Sequence, residues 1–241
     1  ATRDGRFVLK QETAACLARL EASIAAYAER ASARDSLLPR LLGAYTVTPE
    51  KGKPTCWLVM TNTLGVTPGG AVRVADVYDV KGSTAGRRTR PKGGTLKDLD
   101  AREDAARLAA RSAGGARGVV GALEADTAAL EALGLLDYSL LIGVAETPPG
   151  RFGFVGAPLR WLRRRRFRMG AAKRGVRALR AKEGPQLLVV GLIDVLQPWN
   201  WAKALEFAGR GAARGFYAIS AVPPAMYRRR FLAFVERLLT G

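Results

Sequence analysis

A fold that mixes short strands with amphipathic helices is what this sequence predicts, and three observations predict it. Apolar residues recur at helical spacing through residues 12 to 30, at Leu17, Leu20, Ile24 and Tyr27. Two short, strongly apolar runs, Cys56 to Met60 (CWLVM) and Gln186 to Leu196, have the length and residue types of buried strands. The chain closes on Pro224 to Leu239, where Phe231, Phe234, Val235 and Leu238 share one face of a helix.

The remaining elements follow in order. Arg6 to Lys10 (RFVLK) reads as a short strand ending in a lysine, and the helical pattern begins at Glu12. Leu37 to Val47, apolar but holding a proline and a glycine, reads as a turn entering a strand. The polar turn around Lys51 to Pro54 separates it from the Cys56 strand. Strand, helix, strand, strand is the order of a small sheet carrying one helix. Val72 to Val80 is a further strand, followed by a Gly- and Arg-rich loop from Lys81 to Gly94. Thr95 to Asp98 starts a helix, Glu124 to Leu133 forms another, and Ser139 to Val144 is a strand. Residues 147–185 form a low-complexity basic insertion. No internal repeat is visible.

At 241 residues, 48% of them hydrophobic and 25% charged, the chain is globular, either one large domain or two lobes sharing a cleft. Lys and Arg number 39 against 21 Asp and Glu, a net charge of +18, which favours polyanionic partners: nucleic acid, anionic lipid or phosphorylated substrates. There is no histidine, so His-based triads, His metal sites and His general bases are excluded. Cys16 and Cys56 lie far apart in sequence, which argues against a zinc site or a disulfide framework and suits a reducing, intracellular setting. No run of 18 uncharged apolar residues exists and the start shows no signal-peptide pattern, so membrane contact is expected to be peripheral.

Three segments carry most of the chemistry: YDVKGS (Tyr78 to Ser83), LLDYSLL (Leu135 to Leu141) and GLIDVLQ (Gly191 to Gln197). Each sets one aspartate beside apolar strand residues, and two such carboxylates suit a site that binds a divalent metal and accepts a proton. An aspartate at a strand edge is usually a solvated turn or cap residue; together and in this order the segments are specific. The chain resembles the phosphatidylinositol phosphate kinases, whose pattern includes DLKGS, MDYSLL and IIDxLQ segments. DGRFVLK (Asp4 to Lys10) resembles the family's lysine-bearing strand, and LLPRLLGAY (Leu37 to Tyr45) its LLPxFxGxY. TLKDLD (Thr95 to Asp100) and ISAVPPAMYRRRFLAF (Ile219 to Phe234) also match, so the resemblance covers nearly the whole chain apart from residues 147–185.

The resemblance implies a two-lobed α+β fold, distantly like that of the protein kinases, with antiparallel sheets and an ATP cleft between the lobes. Residues 1–62 would be a partial N-lobe and 63–241 the C-lobe of a single catalytic domain. Lys10 matches the strand lysine that contacts ATP phosphates, Asp137 the aspartate that positions or deprotonates the lipid hydroxyl, and Asp194 the Mg²⁺-binding aspartate. Lys81 matches a lysine near the transferring phosphate, with Asp79 supporting its loop, and Met60 to Asn62 match the hinge facing adenine. Lys203 and Glu206 match positions that bind the lipid substrate, Glu206 being the acidic residue associated with 5-phosphorylation of phosphatidylinositol 4-phosphate. The implied cofactors are ATP and Mg²⁺. The implied partners are a phosphoinositide substrate and an anionic membrane surface, and the place of action is the cytoplasmic face of a membrane.

Departures from the family pattern are equally legible. The family sets a glycine-rich hairpin before the lysine strand, whereas only nine residues precede Lys10, so a trimmed or partial sequence is expected. Ala15 falls near the helix position where a glutamate should pair with Lys10, with Glu12 as the substitute. Lys203-Ala204 keeps one of two usual lysines, and Trp199 and Trp201 are placed either to enter a lipid interface or to pack beneath their own segment. Arg151 to Lys182 holds twelve basic and no acidic residues, with Trp161, Leu162, Phe167 and Met169 among them. Such a stretch reads as a disordered linker or as a membrane-surface, nucleic-acid-binding or nuclear-localisation segment, and beside a lipid kinase attraction to anionic lipid is the better functional reading. An active 5-kinase, a catalytically silent lipid-binding scaffold and a nucleic-acid-binding protein are the three readings, and the ordered motifs speak against the last.

Overall fold

The computed structural model describes residues 1–3, 5–64, 73–91, 93–112, 115–146, 177–180, 186–199 and 222–241. Three antiparallel sheets and five helices are described there. Strands β1 (Phe7–Glu12), β2 (Leu41–Val47) and β3 (Thr55–Thr61) form a small sheet in the order β1-β3-β2, and α1 (Ala14–Ser32) connects β1 to β2. Strands β4 (Arg73–Val80), β6 (Ser139–Glu146), β8 (Gln186–Ile193) and β7 (Arg177–Arg180) make a second sheet in the order β4-β6-β8-β7. The two-residue strands β5 (Leu135–Leu136) and β9 (Gln197–Pro198) pair with each other. Helices α2 (Asp98–Glu103), α3 (Ala105–Ser112), α4 (Ala116–Ala132) and the terminal α5 (Pro224–Thr240) complete the chain.

The four-stranded sheet buries one face, and its register says how. Leu140, Ile142 and Val144 alternate along β6 and stand opposite Leu192, Val190 and Leu188 of β8, all six buried. Tyr78 and Val80 of β4 extend the same face, opposite Ile142 and Leu140. Cross-strand pairs of this kind are the unit of sheet stability, and each fully buried aliphatic side chain contributes about 1.5–3 kcal/mol. Leu108, Val119, Leu123 and Leu130 of α3 and α4, and Tyr227, Phe231 and Val235 of α5, belong to the same core.

The small sheet is tied to this body at defined points. Asp126 of α4 is fully buried and accepts hydrogen bonds from Arg30 Nε (2.6 Å) and from the Leu37 amide (2.6 Å), so α1 and the entry to β2 are held to α4. Burial pushes the Asp126 carboxyl upward against the pull of those donors. The Leu192 amide donates to the Leu37 carbonyl (2.9 Å), joining β8 to the same turn.

Several boundaries differ from expectation. The helix expected from Glu12 starts at Ala14, because the Thr13 hydroxyl accepts the Cys16 amide and caps it, while Glu12 stays in β1 opposite Cys56. The strand expected to run to Leu196 stops at Ile193, where Asp194 takes a left-handed backbone (φ 56°). Helix α4 begins at Ala116 rather than Glu124, and α3 precedes it unforeseen. Part of the basic insertion is a strand, β7, paired to β8. Residues 147–176 and 181–185 of that insertion lie outside the described residues, as do Trp201, Lys203, Ala204 and Glu206. No described helix is long and apolar enough to cross a membrane.

Candidate active site

The ladder of β6 and β8 is continued by that of β5 and β9, with a break between. Ser139 pairs with Ile193 and Leu136 with Gln197, so Asp137-Tyr138 on one chain segment faces Asp194-Val195-Leu196 on the other. Asp137 (φ 62°) and Asp194 (φ 56°) are the non-glycine residues with positive φ among the described residues. Aspartate tolerates this left-handed region better than most residues, because its short side chain bonds locally. Backbone in sparsely populated regions costs of order 1–3 kcal/mol and concentrates where function needs a particular side-chain direction. Topology therefore brings two carboxylates, 57 residues apart in sequence, to one end of one strand pair.

Lys81 comes from the turn leaving β4, the strand beside β6. Its Nζ lies 2.8 Å from Asp137 Oδ1 and also donates to the Asp137 carbonyl. The turn behind it is held by Asp98, which is fully buried. Asp98 Oδ1 accepts the amides of Lys81 (2.9 Å), Gly82 (2.6 Å) and Ser83 (3.2 Å), and Oδ2 accepts Arg87 Nε (2.6 Å). Arg87 in turn reaches Asp79 Oδ1 at 3.0 Å. Its burial opposes the charge, and the two carboxylates more than offset this, holding its pKa above the ordinary arginine value. Asp79 thus supports the loop as expected, through Arg87. Gly82 has φ +72°, and a β-carbon there would stand 2.9 Å from the Phe231 Cα of α5.

Lys10, on β1, meets a carboxylate from the other sheet. Its Nζ lies 2.8 Å from Glu12 Oε1 and 3.0 Å from Asp194 Oδ1. Partial burial disfavours the ammonium, but Glu12 and Asp194 outweigh that penalty and keep its pKa above the usual lysine value. The glutamate that pairs with Lys10 is therefore a strand residue two positions on, on the same face, while Ala15 is exposed on α1. Met60 of β3 is partly buried opposite Val8 and Leu41 and packs against the core. Asn62 is engaged locally: its Nδ2 donates to the Gly5 carbonyl (2.7 Å) and its Oδ1 accepts the Leu64 amide (3.1 Å).

Helix α5 closes the site from below. Tyr138, next to Asp137, is buried edge-on against Tyr227 (ring centroids 4.8 Å apart) and Phe231 (5.1 Å). The Tyr227 hydroxyl donates to the Tyr138 carbonyl. Trp199 packs against the core, its amide bonded to the Gly134 carbonyl (2.9 Å), which answers the packing alternative for that residue. Asp98, Arg87 and Tyr227 had no role in the sequence reading. Asp98 lay within the TLKDLD match, and Tyr227 stands four residues before Phe231 on the same helix face.

The family model described as Phosphatidylinositol-4-phosphate 5-Kinase matches residues 1–152 and 162–238. The chain belongs to the phosphatidylinositol-4-phosphate 5-kinase family. It is 29% identical over 98% of its length to the phosphatidylinositol 4-phosphate 5-kinase-like protein 1 of Mus musculus, of which it covers 62%. Phosphatidylinositol 4-phosphate 5-kinase 3 of Arabidopsis thaliana is 26% identical over 98% of the chain, which covers 38% of that protein. The type-1 alpha phosphatidylinositol 4-phosphate 5-kinase of Homo sapiens is 28% identical over 83% of the chain, which covers 40% of it. The chain thus spans less than two thirds of the length of these curated relatives.

Proposed function

We propose that this chain is the catalytic core of a lipid kinase that transfers the γ-phosphate of ATP to the 5-hydroxyl of phosphatidylinositol 4-phosphate. The observation that carries the reading is the pairing of Lys81 with Asp137 and of Lys10 with Asp194, at the one break between the β6–β8 and β5–β9 ladders. Phosphoryl transfer depends on in-line positioning and charge neutralisation more than on covalent catalysis. Two ammonium groups and two carboxylates on crossing elements supply those needs.

In this reading the nucleotide lies between the small sheet and the four-stranded sheet, the two-lobed cleft of a kinase, with Met60 to Asn62 at its adenine end. Lys10 and Lys81 neutralise phosphate oxygens. Asp137 orients the attacking hydroxyl and takes its proton as the ring oxygen bonds to phosphorus and the bond to the β-phosphate oxygen breaks. Asp194 offers a half-exposed carboxylate (44%). Among the described residues no group of three or more metal-ligating side chains is gathered. A Mg²⁺ ion would therefore rest on Asp194 and on phosphate oxygens, its usual arrangement, and would supply charge neutralisation there. Lys203 and Glu206 would hold the inositol ring and set which phosphate it carries. The net charge of +18 would bring the enzyme to an anionic cytoplasmic membrane face.

The test is a lipid-kinase assay of the full-length protein on vesicles carrying each mono-phosphorylated phosphoinositide in turn. The bisphosphate should form from the 4-phosphate lipid, with Mg²⁺ required and with binding weakened by salt. No product from any isomer would favour the second reading, a phosphoinositide-binding scaffold without turnover. Lys10 lacking a glutamate from α1 is the observation behind that alternative.

A further inference from the structure

We propose that Asp98 is a positioning residue for the transfer step, fixing from behind the direction in which Lys81 presents its amine. The inference rests on the lipid-kinase reading for its consequence, but not for its geometry. Asp98 Oδ1 gathers the amides of three consecutive residues, Lys81, Gly82 and Ser83, while Oδ2 accepts Arg87. Three convergent amides fix the path of the chain at the root of the Lys81 side chain. The opposite side of the turn is closed by α5, whose backbone at Arg230 and Phe231 stands 2.9–3.2 Å from where a Gly82 β-carbon would be. Held between the buried Asp98 carboxyl group and a helix backbone, the turn has one course, and along that course the Lys81 amine arrives at the Asp137 carbonyl and Oδ1.

Fully buried, Asp98 cannot itself touch a substrate. Its effect passes through Lys81. Asparagine keeps the shape but replaces one acceptor oxygen with a donor, so it cannot serve both the amides and Arg87. The turn then loosens and the Lys81 amine loses its direction. A displacement of about 1 Å at a reacting group costs roughly 10²-fold in rate.

Two measurements on the full-length protein test this. Acetic anhydride labelling, read lysine by lysine by mass spectrometry, should show Lys81 acetylated several-fold faster in Asp98→Asn, with Lys10 unchanged. In the vesicle assay Asp98→Asn should lower kcat by about 10- to 100-fold with little change in KM for ATP, and should add nothing in a Lys81→Ala background. Arg87→Lys, which keeps the charge but loses the fork, should act in the same direction on both readouts, and it carries the test if Asp98→Asn does not fold. Lys10 and Lys81 exposed together, or rates that multiply with Lys81→Ala, would make Asp98 a residue of general stability and overturn the proposal. Absence of phosphate transfer by the wild type would defeat the lipid-kinase reading, while the labelling arm would still decide whether Asp98 directs Lys81.

Discussion

Lys10 of the small sheet and Asp194 at the end of β8 lie 3.0 Å apart, nitrogen to oxygen, so the two sheets meet through an ion pair at the proposed nucleotide site. The pair is half exposed on both sides, and a contact of that kind contributes little to stability. Its place matters more than its strength: in the proposed function, the cation assigned to phosphate and the carboxylate assigned to metal neutralise each other across the join.

Asp194→Asn should sharply lower Mg²⁺-dependent turnover and leave the fold in place. Asparagine accepts a left-handed backbone at least as well as aspartate, so φ 56° imposes no new strain. Losing one electrostatic contact of the transition state costs on the order of 10²–10³ in kcat. Steady-state kinetics beside a thermal melt checks it, and wild-type turnover would place the metal elsewhere.

For Asp137 the informative change is again to asparagine, because alanine at φ 62° would add a backbone penalty of roughly 1–2 kcal/mol to any chemical effect. Asp137→Asn should lower kcat by about 10²-fold or more while ATP affinity changes little, since its proposed role is with the hydroxyl. Loss of nucleotide affinity with kcat retained would refute that role.

Gly82→Ala should destabilise the whole domain. The φ of +72° alone costs roughly 1–2 kcal/mol for a residue with a β-carbon. The 2.9 Å approach to the Phe231 backbone adds to it, since that neighbour is main chain and cannot turn aside. Urea unfolding should show a lower midpoint at unchanged slope; an unaltered midpoint would mean that α5 gives way easily.

The Lys10 cluster should be insensitive to pH through neutrality. Its folded-state pKa is raised, so the stabilisation is complete below the unfolded lysine value, about 10.4, and disappears as pH rises through the higher folded value. The difference in unfolding midpoint between wild type and Lys10→Met should therefore stay level from pH 7 to about 10 and shrink above it. A difference that shrinks between pH 7 and 9 would contradict the raised pKa.

Periodicity and residue type in the sequence alone determined much of the core, but not α3 or the first half of α4, whose Leu108, Val119 and Leu123 also belong to it. The 3.6-residue spacing of α1 and α5 and the apolar runs of β3 and β8 needed no partner to be read. The ordered motifs also singled out Lys81, Asp137 and Asp194, because short segments with a fixed chemistry survive as local strings. The tertiary structure decided what no local string contains. Glu12 rather than a residue of α1 pairs with Lys10, because Thr13 ends the strand one residue later and starts the helix, leaving Glu12 on the face of Lys10. Asp98 looks like an ordinary helix-start aspartate until the β4 turn folds onto it and brings three amides to its oxygen. Asp137 and Asp194 become one site only through the antiparallel register of β6 with β8, since pairing across 57 residues is set by the burial of a whole sheet face and not by the residues that it brings together.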